Sequence, residues 1–537
     1  MKKPTHIALA LLILLLLSGC LGSDSSSDSS TEQTDDRYGL LDDGIKFYAK
    51  NMDSSSYRLD SLSDEEFNSL DAQTKQIVAD KLLSTLFFGM SQAKLQPLID
   101  SNNFISTITS KLKVYSNDMA NIEHQLDDNG DENSTFYFSS WPNGTAQTAK
   151  ILARFYMMDK LDRSYLEHWS SYVLAQNIMF SPAQELASSH APNIERVYSF
   201  LVRSQRNELS LQYLTYLHMF SDDNWRRFRS PEDNGREMME IFLLNFDDKL
   251  VPLAAKALQN WSLDRDHDTL VIGVNDNSDE LEIFGTTVTD GFDFYRELVK
   301  DDDFISGVSR RLVEVYFPTF TESNKRAIVT DLVASNPSSW QDILLQIVFS
   351  EAYLLDSDKP KSVEELFFSL AKKMHFKHKR GFFSRFSRAL VAMHQASMKY
   401  KLGRYTEVPL DTQSFITYHK FIREELLISD KNRWSSGWVA EDFISDNLFD
   451  NISAYEHSKM LDRLVEHLFA HTVSRKPLEQ EYRLFRSHML TSDNKYRSAF
   501  EIFNNSDDPL DDRIRASKVV LDYISRLTQT YRFVEVK

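Results

Sequence analysis

The sequence predicts an all-α protein, a large multi-helix domain with one small β-hairpin inserted. Two observations carry that expectation. Glycine (15) and proline (13) are scarce in 537 residues, so few positions interrupt a helix. Apolar residues also recur at helical spacing. In LDRLVEHLFAH, Leu461, Leu464, Val465, Leu468 and Phe469 fall on one face, three or four residues apart.

The elements follow in chain order. MKKPTHIALALLILLLLSGC opens with Lys2 and Lys3, followed by an apolar run, Ile7 to Leu17, that is too short to span a bilayer. It ends in Leu17-Ser18-Gly19-Cys20, which resembles the lipobox of bacterial lipoproteins. That resemblance implies a signal peptide over 1–19, cleavage before Cys20 and lipidation of Cys20, so that the protein meets the membrane through a lipid anchor. Residues 20–37, rich in Ser and Asp, can bury almost nothing and are expected to form a disordered tether. Leu21 stands where inner-membrane retention signals carry Asp, which by resemblance places the anchor in the outer membrane of a bacterial envelope.

Cys20 is the single cysteine, which excludes an internal disulfide and any Cys-based zinc or redox site. Removing residues 1–19 takes away two lysines and no acid, moving the net charge from −18 to −20. Such a surface repels polyphosphate, so no nucleic-acid partner is expected.

Residues 38–537 are expected to be helical. Helical spacing recurs in VADKLLSTLF, WQDILLQIVF, VEELFFSLAKKM and VVLDYISRL. Pro477 fits the first turn of a helix carrying Leu478, Leu484 and Phe485. DTLVIGVNDNSDELEIFG, from Asp268 to Gly285, differs. Two short apolar segments flank an Asn/Asp/Ser turn, and this is the expected hairpin. A division into lobes 38–265 and 290–537, on either side of it, is one arrangement the pattern allows.

The stretch SPEDNGREMMEIF, Ser230 to Phe242, carries the most chemistry. Ser230 is a good N-cap, Pro231 suits the first helical position, and Glu232 and Asp233 complement the helix dipole. At about 100° per residue, Glu232, Asp233, Arg236, Glu237 and Glu240 share one sector, opposite Met238, Ile241 and Phe242. Glu232–Arg236 and Arg236–Glu240 then make ordinary surface pairs. Leu243 and Leu244 return to the acidic sector one turn later, an expectation that the helix runs on and is buried all round. In that case the carboxylates would form an internal ion network or a site with shifted pKa values.

These residues resemble the signature of the bacterial "domain of unknown function 1800" family, with Glu232, Arg236, Glu237, Glu240 and Phe242 matching. Pro231 and Asp233 stand in place of two asparagines, Asn234 in place of an aromatic and Gly235 as the small residue. VADKLLSTLFFGMSQAKL is similar to the family's opening helix and its Phe-Gly turn, here Phe88 and Gly89. AAKALQNW, ending at Trp261, resembles a further segment, and Asp266-His267-Asp268 falls where the family carries a His-Asp pair. SSWQDILLQIVFSEAYL and KPKSVEELFFSLAKKM are similar to its later helices. The resemblance implies an exported sulfatase-like protein as a partner.

Other motifs are weaker. His467 and His471 are spaced for zinc, but Leu468 stands where HExxH needs Glu, so no metal is expected. DDNGDEN, from Asp127, has glycine and acid at the wrong positions for a calcium loop. KKMHFKHKRGFFSRFSR, Lys372 to Arg388, is a basic, aromatic island suited to phosphate groups or an acidic glycan, or to docking on the protein's own acidic surface, which is the favoured expectation. No Gly-rich phosphate loop or G-x-S-x-G elbow occurs, and no cofactor is expected.

Two functions follow as expectations. One is a lipid-anchored envelope protein that binds a protein partner or a polymer such as a polysaccharide, in assembly or export. The other is a hydrolase of an envelope or extracellular polymer, using carboxylates of Glu232–Glu240 with Asp266, His267 and Asp268.

Overall fold

The computed structural model describes residues 59–533, apart from 128–143, 182–192, 274–279, 377–380, 399–411, 428–443 and 493–508 and the single positions Arg265, Asp268, His375, Ser445, Ala454 and Thr491. Cys20, the expected signal peptide and the tether lie outside the described residues, as does all but Asp127 of the DDNGDEN loop.

Side-chain caps fix many of the helix starts. Ser63 opens α1 (Asp64–Ser69) with a reciprocal box to Glu66, and Asp71 caps α2 (Ala72–Phe87). At the end of α2, Phe88 and Gly89 take positive φ (54° and 100°), and the Gly89 amide donates back to Leu83. Glycine suits this turn twice, because a Cβ here would also crowd the Ser369 backbone at 3.0 Å. There follow α3 (Gln92–Ile99), α4 (Phe104–Lys111), α5 (Met119–Asp127), α6 (Gly144–Met157), α7 (Arg163–Asn177), α8 (Ile194–Arg206), α9 (Leu211–Met219), α10 (Asp222–Arg227), α11 (Pro231–Phe242) and α12 (Leu250–Ala257). After the β region come α13 (Gly291–Leu298), α14 (Asp303–Tyr316), α15 (Glu322–Ala334), α16 (Trp340–Val348) and α17 (Val363–Lys373). The chain then continues through α18 (Phe382–Ala392), α19 (Thr412–Ile422), α20 (His457–Val473), α21 (Glu479–Met489), α22 (Pro509–Ile524) and α23 (Thr528–Tyr531). The all-α class stands, and among the described residues no helix is long and apolar enough to cross a membrane.

The β insertion differs from its expectation. Leu270–Ile272 and Leu281–Ile283 do not pair with each other. β1 (Trp261–Asp264) pairs with β2 (Thr269–Ile272), and β3 (Leu281–Ile283) pairs with β4 (Thr286–Val288), both antiparallel. Each apolar segment finds a nearer partner across a shorter turn, which costs less chain entropy. Trp261 opens β1 and is buried against Trp225, Phe292 and Tyr295.

α7 is the most deeply buried helix. Every residue from Ser164 to Asn177 is buried, although the segment includes Glu167, His168, Ser170, Ser171, Gln176 and Asn177. Hydroxyls and amides are absorbed by the helix itself, Ser171 bonding the Glu167 carbonyl at 2.7 Å and Asn177 that of Val173 at 2.7 Å. α2 packs on one side, where Trp169 donates to the Thr85 carbonyl at 2.8 Å. α8, α14 and α16 cover other sides. The stripe Leu461, Leu464, Val465, Leu468 and Phe469 is buried on α20 as its spacing predicts. Pro477 instead precedes the extended cap Leu478, and Leu478 and Leu484 face outward while Phe485 is buried.

α11 also ends earlier than expected. Leu243 leaves the helix in an extended conformation (φ −104°, ψ 152°), and Leu244 is exposed. The reason is close packing: α14 crosses so tightly that a Cβ on Gly307 would overlap the backbone of Phe242 and Leu243. Gly307→Ala is therefore expected to destabilise the fold by about 1–3 kcal/mol, measured by urea unfolding. A change within about 0.5 kcal/mol, the range of ordinary surface substitutions, would refute this account of the helix end.

Candidate functional site

The acidic sector of α11 is built as its caps predict. The Ser230 hydroxyl accepts from the Asp233 amide at 3.2 Å, and Pro231 occupies the first turn. Arg236 gathers the acids. It contacts Asp233 at 3.2 Å, Glu240 at 2.9 Å and also Glu237. The expected Glu232–Arg236 pair is absent, because Arg236 turns to Asp233 one residue on and leaves Glu232 exposed. Partial burial raises the Glu237 carboxyl above its ordinary value, while the Arg236 guanidinium pulls it down. From α14, Arg311 donates to the final carbonyls of α11, at Glu240 and Ile241.

The opposite face is sealed. Asn234 is fully buried and accepts the Tyr295 hydroxyl at 2.6 Å, and Met238 receives the Asn224 amide at 3.3 Å. Gly235 lies against Ala254 of α12. These contacts make α11 a packing element on one side and a salt-bridged surface on the other.

Asp266 and His267 occupy the turn joining β1 to β2, and Asp268 lies outside the described residues. Asp264, not Asp266, organises this turn, accepting the Asp266 amide and the His267 Nδ1, each at 2.8 Å. The hydrogen bond from His267 holds the Asp264 carboxyl below its usual range. With its side chain 75 % exposed, His267 is a surface group. Among the described residues, no hydrogen bond or ion pair joins the Arg236 cluster to this turn. The structure gathers Arg236, Glu237 and Glu240 in one place, and Asp266 and His267 in another.

A hollow lies elsewhere. The chain before α1 crosses residues 349–351, Leu62 donating to the Phe349 carbonyl at 2.9 Å and Glu351 to that of Asp60 at 2.9 Å. The α15–α16 loop turns through Asn336 at positive φ (47°) and is held by the Leu211 amide on the Ser338 carbonyl at 2.9 Å. Between them opens a cleft of about 510 Å³, floored by Leu62, Ile105, Leu112, Leu166, Leu345 and Phe349. That volume falls in the usual range for ligand sites. Lys113 and Arg163 stand on its rim with Asp342. Arg163 already faces buried Glu167 at 3.5 Å, and Asp342 is spent on the Ser338 and Ser339 amides at 3.0 and 2.9 Å. Lys113 is exposed and has no ion pair among the described residues. These residues come from four distant segments, so no local motif announces them.

The remaining motifs resolve into structure. The His471 Nδ1 lies 2.7 Å from the His467 carbonyl, one turn back on α20. The described part of the basic island docks inward. Lys373 pairs with Asp80 at 2.7 Å and Arg385 with Glu425 at 2.6 Å, while Phe376, Phe382, Phe383 and Phe386 are buried with Phe367.

Fold and surface together define a class, an acidic all-α protein that has, among the described residues, two small hairpins and an open cleft with an apolar floor. Compared with known proteins, the chain matches no family model, no curated protein and no solved structure. The likeness to the domain of unknown function 1800 family therefore rests on the residues quoted above.

Proposed function

We propose that the chain is a lipid-anchored helical protein of the bacterial envelope that binds a protein partner or a polymer through the cleft beside Lys113. One observation carries this over the hydrolase alternative. Asp233, Glu237 and Glu240 of α11 close on Arg236 at the surface, whereas the open hollow has an apolar floor and no free carboxyl pair on its rim. An apolar floor with one unspent cation suits binding of a ligand that carries apolar groups and a negative or polar end. Acid–base hydrolysis needs two carboxyls, one held protonated and one ionised, facing a common substrate.

The test is site-specific photocrosslinking in the native cell, with a benzophenone side chain placed at Leu345 in the cleft and, as a control, at exposed Tyr455. A discrete adduct is expected from position 345 alone, reduced about tenfold by Lys113→Glu. Equal adducts from both positions would refute the assignment of the cleft. In the same cells, Cys20→Ala is expected to move the protein from the membrane to the soluble fraction. Continued membrane retention would remove the lipid anchor from the proposal without touching the cleft.

A further inference from the structure

Lysine is among the residues least often buried, yet several lysines converge beneath the last described residues of this chain. Lys81, Lys359, Lys361 and Lys373 are between 1 % and 6 % exposed. The ammonium groups of Lys361, Lys359 and Lys81 lie 4.9, 5.6 and 6.0 Å from the centre of one ring, that of Phe533. A ring has only two faces, so Phe533 alone cannot compensate three cations.

The carboxylates nearby are already committed. Glu365 takes Lys359 through both oxygens, at 3.0 and 2.8 Å. Asp80 takes Lys373 at 2.7 Å. The Lys81 ammonium donates to the Ser357 carbonyl. Lys361 is left over. Its side chain makes no ion pair or hydrogen bond among the described residues, and its only contact of this kind is the Phe533 ring. Burial pushes its ammonium down to about 8, and neighbouring Lys373 adds to the fall.

The cover over this cluster is a short strap. The Lys361 amide donates to the Tyr531 carbonyl at 2.8 Å and the Phe533 amide to the Lys359 carbonyl at 3.0 Å, and between them Pro360 and Arg532 form an antiparallel bridge. The strap is pinned where Arg532 meets Asp358 at 2.8 Å. An isolated buried cation is costly unless a counter-charge reaches it.

We propose that Lys361, with Lys81 and Lys359 beside the Phe533 ring, forms a binding site for an oxyanion of the phosphate or sulfate class, entering under the strap 531–533. Ammonium groups are compact donors suited to such oxygens, and a bound dianion would bond Lys361 directly, where Asp80 and Glu365, each bonded to another lysine, act on it only through space.

The test measures thermal unfolding of the full chain in inorganic phosphate, in sulfate and in chloride at matched ionic strength. The wild type is expected to rise in melting temperature, saturably, with phosphate and sulfate relative to chloride. Lys361→Met should lose the saturable part and weaken apparent affinity about tenfold or more, leaving only the shallow rise that excluded salts give every protein. Lys361→Arg, which keeps the charge, should retain the response. Glycerol phosphate separates the sources. A response to it as well as to phosphate assigns the charged end of a larger ligand, and a response to phosphate alone assigns the free ion. The proposal falls if the wild type shows no saturable difference from chloride, or if Lys361→Met responds as the wild type does. It also falls if Lys361→Met is markedly less stable than wild type in chloride, because the ammonium would then already be compensated.

Discussion

Acidification from pH 7 to pH 4.5 is expected to cost this protein several kcal/mol of stability, with buried histidines leading the loss. His168 on α7 and His218 on α9 are each 4 % exposed. Burial holds His168 well below its ordinary value, with the Arg154 and Arg206 charges assisting, and its Nδ1 meets the Tyr198 hydroxyl at 2.7 Å. Burial likewise holds His218 down to about 3, helped by Arg227. Both are neutral in the folded chain, whereas in the unfolded chain each takes a proton near pH 6.5. Their contribution is therefore complete above pH 6.5 and is lost as the pH falls, for His218 until about pH 3. Each such group adds a slope of about 1.4 kcal/mol per pH unit below pH 6.

His419 is held near 4, first by burial, and shifts in the same direction, but it is partly exposed and contributes less. Asp162 enters only below its ordinary value. Donors from Tyr165, Asn117, Ser164 and Ser116 outweigh its burial and hold it down, so its loss begins where the unfolded carboxyl protonates. Urea unfolding across this pH range would measure the slope. Substituting His218→Gln should flatten it by about 1.4 kcal/mol per pH unit. An unchanged slope in both the His168→Gln and His218→Gln variants would show that carboxylates alone govern acid unfolding.

The groups behind that prediction could not be read from the sequence, while the helices that hold them could. Local signals set local structure. The Ser230–Pro231 start of α11 and the α20 stripe each depend on residues within a few positions, and each formed as its spacing predicts. Signals failed where a tertiary contact decided the outcome. Leu243 and Leu244 would carry a longer α11 on with apolar residues in its acidic sector, yet the approach of α14 at Gly307 ends that helix. Thr269–Ile272 and Leu281–Ile283 look like two strands of one hairpin, but Trp261 and Thr286 supply nearer partners.

Burial of polar residues was the least legible feature. In RSYLEHWSSYVLAQN, charges and hydroxyls recur where a solvated face would place them. Ser170 and Ser171 bond carbonyls of their own helix, whereas Glu167, His168 and Gln176 meet Tyr115, Arg206, Tyr198 and Glu364, which arrive from other segments. The cleft beside Lys113 and the lysines around Phe533 have the same origin. Residues as far apart in the chain as Lys81 and Phe533 meet there, and periodicity within a short window carries no information about such meetings.

Cutting the pin of the C-terminal strap should have the largest effect of any single substitution considered. Arg532 and Asp358 are both buried and joined at 2.8 Å, Arg532 also reaches the Asp358 carbonyl at 3.2 Å, and Thr319 donates to the second carboxylate oxygen. Arg532→Met leaves Asp358 as a buried carboxylate without its cation, a defect that costs about 3–5 kcal/mol, whereas replacing both partners is far milder. Denaturant unfolding should therefore show a large loss for Arg532→Met and recovery of a substantial part of it in Arg532→Met combined with Asp358→Asn. If the double substitution is as unstable as the single one, the ion pair is not what holds the strap. The strap also shields Lys361 through Phe533. Lys361 should accordingly become more reactive to acetic anhydride in Arg532→Met than in wild type, as read by mass spectrometry under conditions where both chains remain folded. Unchanged labelling there would mean that the segment 531–533 stays in place by its backbone pairing alone.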